Sequence, residues 1–248
     1  MALILATTTP GEPEIFASLQ GEGPSAGRPV AFVRLSRCNL ACRWCDTAYT
    51  WHFAGDTRPH LRDATYDRAA NQLALSEEEV ARRIAALGKA RLVVTGGEPL
   101  LQGAALARMV EALAAIAPEV QVEVETNGTV APHPDFDAHV AQYNVSPKLA
   151  HSGNPAALAL VPERLVHWAA EPRAIFKFVI AEPEDVAEVL ALAERFAIPA
   201  ARIWLMAEGT DAATLAAREQ WLAQLCVAHD LTLSKRLHIH WFGDTRGT

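Results

Sequence analysis

The sequence predicts an α/β fold: a parallel sheet with helices packed on its outside. Three observations lead there. Short β-rich apolar runs alternate with helical patterns along most of the chain, the order that builds βα units. The segments CNLACRWC, TGGEP, ETNG and SPK each follow one of these runs, and parallel sheets gather their ligands at the carboxyl ends of the strands. Finally, 248 residues, half of them apolar, suffice for one large core. A single domain over 1–248 is expected, with no internal repeat and no low-complexity tract.

The elements follow in order. The opening MALILATTTPGEPEIF has no basic n-region and its apolar run stops at Ala6, so no secretory signal is expected. PVAFVRLS reads as the first strand and ends at the cysteines. From Tyr49 to Leu75 the chain is polar and irregular, with Trp51, His52, Arg58, Pro59 and His60. A loop of that length is functional or carries small elements of its own, and it reads as an insertion near the site. SEEEVARRIAAL opens with Ser76 as N-cap and Glu79 three residues on, a capping-box pattern. RLVVTGG is the second strand, and GAALARMVEALAAIA has apolar residues at helical spacing. VQVEVETNG alternates, then turns at Asn127-Gly128. HVAQYNVSPK, AIFKFVIA, RIWLMAEG and LTLSKRLHIH read as further strands, the last placing His238 at a strand end. PEDVAEVLALAERF and DAATLAAREQWLAQLCVAHD read as the helices between them.

The formal net charge is -7 and the pI is near 5.7. This balance argues against a phosphate-backbone binder, so no direct nucleic-acid contact is expected. A small anionic substrate stays compatible, because one arginine in a pocket is enough. No stretch approaches the roughly 20 apolar residues that span a bilayer, so a soluble, cytoplasmic protein is expected. Thiols stay reduced in that compartment, and clustered cysteines there are metal ligands or catalytic groups more often than disulfides.

Cys38, Cys42 and Cys45 are spaced C-x3-C-x2-C. Three thiolates hold three irons of a 4Fe–4S cluster, which is normally held by four cysteines. The fourth cysteine, Cys226, lies inside a predicted helix and reads as a small buried hydrophobe. One iron is then left open to an outside molecule. On spacing alone, a zinc site completed by His52 or His60 stays open as an alternative. A redox pair of Cys42 and Cys45 leaves Cys38 unexplained. The other segments also have two readings. TGGEP permits close backbone approach to a ligand or makes an ordinary strand-to-helix turn. ETNG and SPK are rim ligands or turns, QGEG is a ligand loop or a flexible one, and Arg34 holds an anion or makes a structural ion pair.

Cys38-Asn-Leu-Ala-Cys42-Arg-Trp44-Cys45, with an aromatic residue one place before the last cysteine, resembles the radical S-adenosylmethionine (SAM) superfamily. The flanks narrow the resemblance. Ser18-Leu19-Gln20-Gly21-Glu22-Gly23, Gly27-Arg28-Pro29, Phe32-Val33-Arg34, Cys45-Asp46-Thr47 and the ending LHIHWFGDTRGT are similar to the 7-carboxy-7-deazaguanine synthase family, which builds the deazapurine core of queuosine-type nucleosides. The similarity is weakest over 49–75 and 150–230.

That resemblance implies a partial (β/α)6-type barrel with an insertion after the cluster loop. It implies a 4Fe–4S cluster on Cys38, Cys42 and Cys45, SAM on the open iron, and Mg2+ at Thr47. For SAM it implies contacts from Trp44, Cys45, Asp46, Gly97, Glu98, Glu125, Asn127, Ser146, Pro147 and Lys148. For substrate it implies Leu19, Gln20, Gly21, Glu22, Arg34, Thr95, His238 and Thr248. The implied substrate is 6-carboxy-5,6,7,8-tetrahydropterin. A 5′-deoxyadenosyl radical removes hydrogen from its C6, the ring contracts to 7-carboxy-7-deazaguanine, and ammonia leaves as SAM is regenerated. A reducing donor such as flavodoxin or ferredoxin and a homodimer are implied as partners. Two rivals stand beside it. A glycyl-radical-enzyme activating protein shares the cysteine spacing and size, but does not account for QGEG or Thr47. A non-catalytic zinc module predicts a colourless protein with no SAM turnover.

Overall fold

The computed structural model describes residues 2–62 and 64–248. Its strands are β1 (Ala2–Thr9), β2 (Glu12–Pro13), β3 (Ile15–Leu19), β4 (Pro29–Leu35), β5 (Gln72–Ser76), β6 (Arg91–Gly96), β7 (Gln121–Thr126), β8 (Val140–Val145), β9 (Ala174–Ile180), β10 (Ile203–Ala207) and β11 (Thr232–Ser234). Its α-helices are α1 (Arg68–Asn71), α2 (Glu77–Ala86), α3 (Gly103–Ile116), α4 (Pro134–Asp137), α5 (Ala156–Ala159), α6 (Pro162–Ala170), α7 (Asp185–Phe196), α8 (Ala212–His229) and α9 (Leu237–Phe242).

The sheet runs β11-β10-β9-β8-β7-β6-β4-β1-β2, with β3 paired to β4 and β5 to β1. From β4 through β11 the pairing along this path is parallel. The two ends do not meet, so the sheet is an open, partial barrel. Its parallel strands are apolar on both faces, as strands covered on both sides must be. Val93, Val94, Phe176 and Phe178 have no exposure at all. Helices α2 and α3 seal the outside through Val80, Ile84, Leu106, Met109 and Leu113. The Ser76 hydroxyl caps α2 by accepting from Glu79 N–H at 3.2 Å. The reciprocal half of the box is not made, because the Glu79 carboxylate holds Arg82 and Arg83 instead.

Three sequence expectations change. The opening apolar run is β1, which pairs antiparallel with β5 from Ala2↔Ser76 to Ala6↔Gln72. The expected insertion of 49–75 is therefore shorter: α1 and β5 belong to the main body, and Asp63 lies outside the described residues. LTLSKRLHIH is not one strand, since β11 stops at Ser234 and Leu237–Phe242 is helical. Four residues of Leu-His-Ile-His mimic a period of two, but Ile239 is buried and Leu237 N–H donates to the Gly21 carbonyl at 3.0 Å. Lastly, Pro99–Ile116 is long and apolar enough by length and composition to cross a bilayer. It packs here as a core helix, with Leu106, Met109, Val110 and Leu113 buried.

Candidate active site

At the carboxyl ends of the parallel strands lies a cleft of about 330 Å³. The cysteine loop after β4, Gly96-Gly97 after β6, Thr126-Asn127 at the end of β7, and Ser146 and Lys148 after β8 line it. The loop before β4 and the C-terminal tail close its other side. The four segments singled out by sequence therefore meet on one rim.

Cys38, Cys42 and Cys45 are free thiols on this cleft. Burial pushes Cys38 up to about 12 and Cys45 up to about 11, and raises Cys42 as well. The neutral thiol is favoured in such surroundings, so a bound cation must drive deprotonation, as metal ligation does. Among the described residues, no three His, Cys, Asp or Glu side chains converge on one ion. Of the two histidines available to a zinc site, His60 has both ring nitrogens engaged, and His52 joins no other His, Cys, Asp or Glu in a group of three that could hold an ion among the described residues. His60 Nε2 donates to the Cys45 carbonyl at 2.9 Å while its Nδ1 accepts from Arg62 N–H at 3.1 Å. His52 stacks on His60, with ring centroids 5.7 Å apart. Three thiols spread along one wall suit a cluster with an open iron better than a four-donor zinc site. Cys226 is 4% exposed on α8 and belongs to the core.

Gly96 and Gly97 bring β6 against the cysteine loop. A Cβ on Gly97 would overlap the Arg37 carbonyl and lie 2.9 Å from Cys38 Cβ. Gly96 has φ +149, and a Cβ there would overlap the Leu35 backbone. The glycines thus admit the chain's own cluster loop. Gly97→Ala should cost about 1–3 kcal/mol through overpacking and displace Cys38. Thermal unfolding and iron stoichiometry after reconstitution measure the two effects.

Glu98 differs from the expectation of a SAM contact. Its carboxylate is wholly buried, does not line the cleft, and accepts from Leu100 N–H, the Thr126 hydroxyl and Asn127 N–H at 2.7–3.0 Å. Burial outweighs these donors and pushes it up to about 7. Glu98 pins the end of β7 to the loop after β6. Pro147 also does not line the cleft, whereas its neighbours Ser146 and Lys148 do. Lys148 Nζ donates to Ser146 Oγ at 2.8 Å and stands 5.6 Å from the Trp44 ring centroid. Trp44 stacks on His151 at 5.5 Å, and its Nε1 is buried with no partner. An unpaired buried donor beside the cysteines suits a ligand acceptor.

The expected substrate residues all line the cleft: Leu19, Gln20, Gly21, Glu22, Arg34, Thr95, His238 and Thr248. Most of their polar groups already have partners. Gln20 Nε2 donates to Glu123 and Glu125 at 3.2 and 3.4 Å. Lys177 Nζ bridges Glu22 and Glu125 at 2.5 and 2.6 Å. Arg236 contacts Glu22 at 3.3 Å and also pairs with Asp46. Burial opposes the Glu22 charge, but Lys177, Arg236 and His238 prevail and hold its pKa well below the carboxylate range. Glu125 moves the other way, because burial and neighbouring carboxylates outweigh Lys177. Gly21 is no flexible linker, since a Cβ there would collide with His238. Burial lowers the His238 pKa despite Glu22, favouring the neutral ring.

Arg34 lies opposite Thr95 in the β4–β6 register. Its Nε donates to Glu14 at 2.7 Å, and Tyr49 donates to the same carboxylate. Among the described residues, its Nη atoms have no protein partner. Asp46 lines the cleft beside Thr47. Burial opposes the Asp46 charge, but Arg236 holds its pKa below the usual value. Thr47 Oγ1 lies 3.6 Å from Cys45 Sγ. The tail crosses the opening: Asp244 pairs with Arg62 at 2.7 Å, and the Arg246 guanidinium lies 3.5 Å from the Tyr49 ring centroid.

Sequence reasoning missed Lys177, Arg236 and Glu14. Lys177 had a signal, a lysine inside AIFKFVI, because a buried charge in an apolar strand demands a partner. The others had none, since their partners lie far away in sequence.

Comparison with known proteins agrees with this geometry. The profile of the radical SAM superfamily matches residues 33–145. The chain is 39% identical over 237 residues to the 7-carboxy-7-deazaguanine synthase of Pyrobaculum aerophilum, covering 94% of this chain and 95% of that one. The synthase of Hyperthermus butylicus is 36% identical over 230 residues, covering 91% and 90%. Among solved structures, QueE from Escherichia coli superposes with a TM-score of 0.63 at 25% identity, covering 95% of this chain and 94% of that one. SuiB of Streptococcus suis shares the fold at 13% identity, with a TM-score of 0.53 over 83% of this chain and 48% of its own. The cysteine loop, its glycine-rich neighbour and the relatives agree: the chain belongs to the 7-carboxy-7-deazaguanine synthase family of radical SAM enzymes.

Proposed function

We propose that this cleft carries out the family's ring contraction of 6-carboxy-5,6,7,8-tetrahydropterin to 7-carboxy-7-deazaguanine, with the following division of labour. The observation that carries it is the convergence of three free thiols, Arg34 and the Glu22–Lys177–Glu125 bridge on one cleft. When bound on Cys38, Cys42 and Cys45, the cluster with SAM supplies the radical that removes a substrate hydrogen. The rest of the work is positioning and exclusion of water. The Arg34 Nη edge receives the substrate carboxylate, a geometry suited to two parallel hydrogen bonds, while Glu14 fixes the guanidinium through Nε. Glu22, kept ionised by Lys177 and Arg236, accepts from the N–H donors of the pterin edge, and Gln20 orders the loop that presents it. Trp44, Asn127, Ser146 and Lys148 form the SAM side, with the orphan Trp44 Nε1 available to an acceptor. Leu19, Gly21, Thr95, His238 and Thr248 shape the substrate wall.

Thr47 offers its hydroxyl to Mg2+, which prefers hard oxygen ligands and keeps several waters. Thr47→Val preserves shape and removes that oxygen. It should weaken the Mg2+ dependence of turnover by at least the ~10–100-fold typical of losing a metal's supporting partner, read by titrating Mg2+ in the assay. The chain acts as one domain over 1–248, since one core cluster reaches from Leu3 to Ile239. We place it in the cytoplasm as a homodimer, with flavodoxin or ferredoxin as reductant.

The test is anaerobic reconstitution with iron and sulfide, followed by reductant, SAM, Mg2+ and the pterin. A brown protein forming a carboxylated 7-deazaguanine is the expected result. Normal cluster formation with no product would sink the substrate assignment.

A further inference from the structure

Each of the three cysteine sulfurs is met by a side-chain N–H donor. Asn154 Nδ2 stands 3.2 Å from Cys42 Sγ, Trp51 Nε1 stands 3.4 Å from Cys45 Sγ, and Asn127 Nδ2 stands 3.9 Å from Cys38 Sγ. Trp51 belongs to the irregular segment after the cysteine loop. That segment holds Cys45 twice, because His60 also donates to the Cys45 carbonyl at 2.9 Å. Trp51 is 5% exposed and packs edge-on against His52 and His60, with Arg58 4.8 Å from its ring centroid. Asn154 is fixed as well: its Oδ1 accepts from Ala41 N–H at 2.8 Å, and its Nδ2 reaches Ser152 Oγ.

We propose that the Trp51–His60 segment and Asn154 form the electrostatic cover of the cluster, setting its reduction potential through N–H···S contacts and exclusion of water. The inference rests on the reading that Cys38, Cys42 and Cys45 hold the cluster. One-electron reduction adds one negative charge shared by the cluster and its thiolates, with no bond made or broken. A donor aimed at a ligand sulfur stabilises that added charge, and such contacts and solvent exposure are the protein's levers on potential. Removing a donor while keeping the volume therefore makes the potential more negative. This assigns a task to a segment whose sequence carries no recognisable motif.

Two variants isolate the effect. Trp51→Phe keeps an aromatic ring against His52 and His60 but lacks the N–H. Asn154→Asp keeps the oxygen that accepts from Ala41 N–H and replaces the donor with a negative charge. The full chain is reconstituted anaerobically and poised with dithionite and mediators. The reduced-cluster EPR signal is followed against potential, beside iron analysis and circular dichroism. Asn154→Asp should make reduction about tenfold less favourable, ~59 mV for a one-electron couple. Trp51→Phe should shift it in the same direction by less. Wild-type potentials in both variants at full iron content would overturn the inference. Loss of iron, whether complete or with an unchanged potential in the remaining cluster, would assign these residues to holding the loop alone and would also overturn it. If the wild-type chain formed no cluster, the cysteine reading would fall first. A wild-type cluster with unshifted variants refutes only the cover.

Discussion

Cys42→Ala should give a nearly colourless protein that makes no product above background, a loss exceeding ~10³-fold, or more than about 4 kcal/mol of transition-state stabilisation. The reason is geometric. The three thiols line one wall, and Cys226 sits in the core on α8, so no other cysteine replaces a lost ligand. Neither His52 nor His60 is placed to substitute, because His60 is bonded to Cys45 and Arg62 and His52 is 6% exposed in the aromatic stack. The fold should survive, since Cys42 packs in a small satellite cluster with Leu40 and Ala159. Iron and sulfide analysis, EPR and an anaerobic turnover assay measure the outcome. Cys226→Ala is the matched control and should keep both cluster and turnover. Full turnover in Cys42→Ala would remove the cluster argument.

The second large effect is on stability. Lys177→Met should destabilise the chain by about 3–5 kcal/mol, the typical result of removing one partner from a buried ion pair. Lys177 is 3% exposed and bridges Glu22 and Glu125. In the variant Glu22 retains Arg236, but Glu125 loses the cation that opposes its desolvation. The pH dependence has a definite sign. Glu22 has a lowered native pKa, so its contribution is present above the unfolded value and is lost as pH falls through the native one. Glu125 in the variant has a native pKa raised further, so its charged form opposes folding. That deficit is complete above the raised native value and shrinks as pH falls toward the unfolded value of about 4.3. Urea unfolding of both proteins across this range measures it. A deficit that stayed constant with pH would show that lost packing, not an uncompensated carboxylate, is the cause.

The elements that sequence located best were those with a strong local cause. Ser76 before SEEEV, the apolar spacing of α3, and the β-rich runs of β6 to β10 need only near neighbours to be understood. The carboxyl-end rule then placed four loops on one rim without any knowledge of side-chain positions. Reading failed where distant partners decided the structure. β1 looks like a short apolar start, and only its pairing with β5 makes it part of the sheet. Leu237 to His240 alternates like a strand, yet docking on Gly21 and burial of Ile239 fix a short helix. Glu98 sits in a ligand-like motif, but donors from residues 100, 126 and 127 enclose its carboxylate.

The amino-acid sequence by itself determined the cysteine spacing, the order of βα units and the family. The first two follow from covalent neighbours and local periodicity, and the third from the resemblance that the motifs carry. Only the tertiary structure decided how the charges and sulfurs are served. Lys177 meets Glu22 across 155 residues, Arg236 meets Asp46 across 190, and Asn154 meets Cys42 across 112. Such contacts have no local signature, because desolvation inside the folded core, not sequence proximity, is what makes each buried charge or donor require its partner.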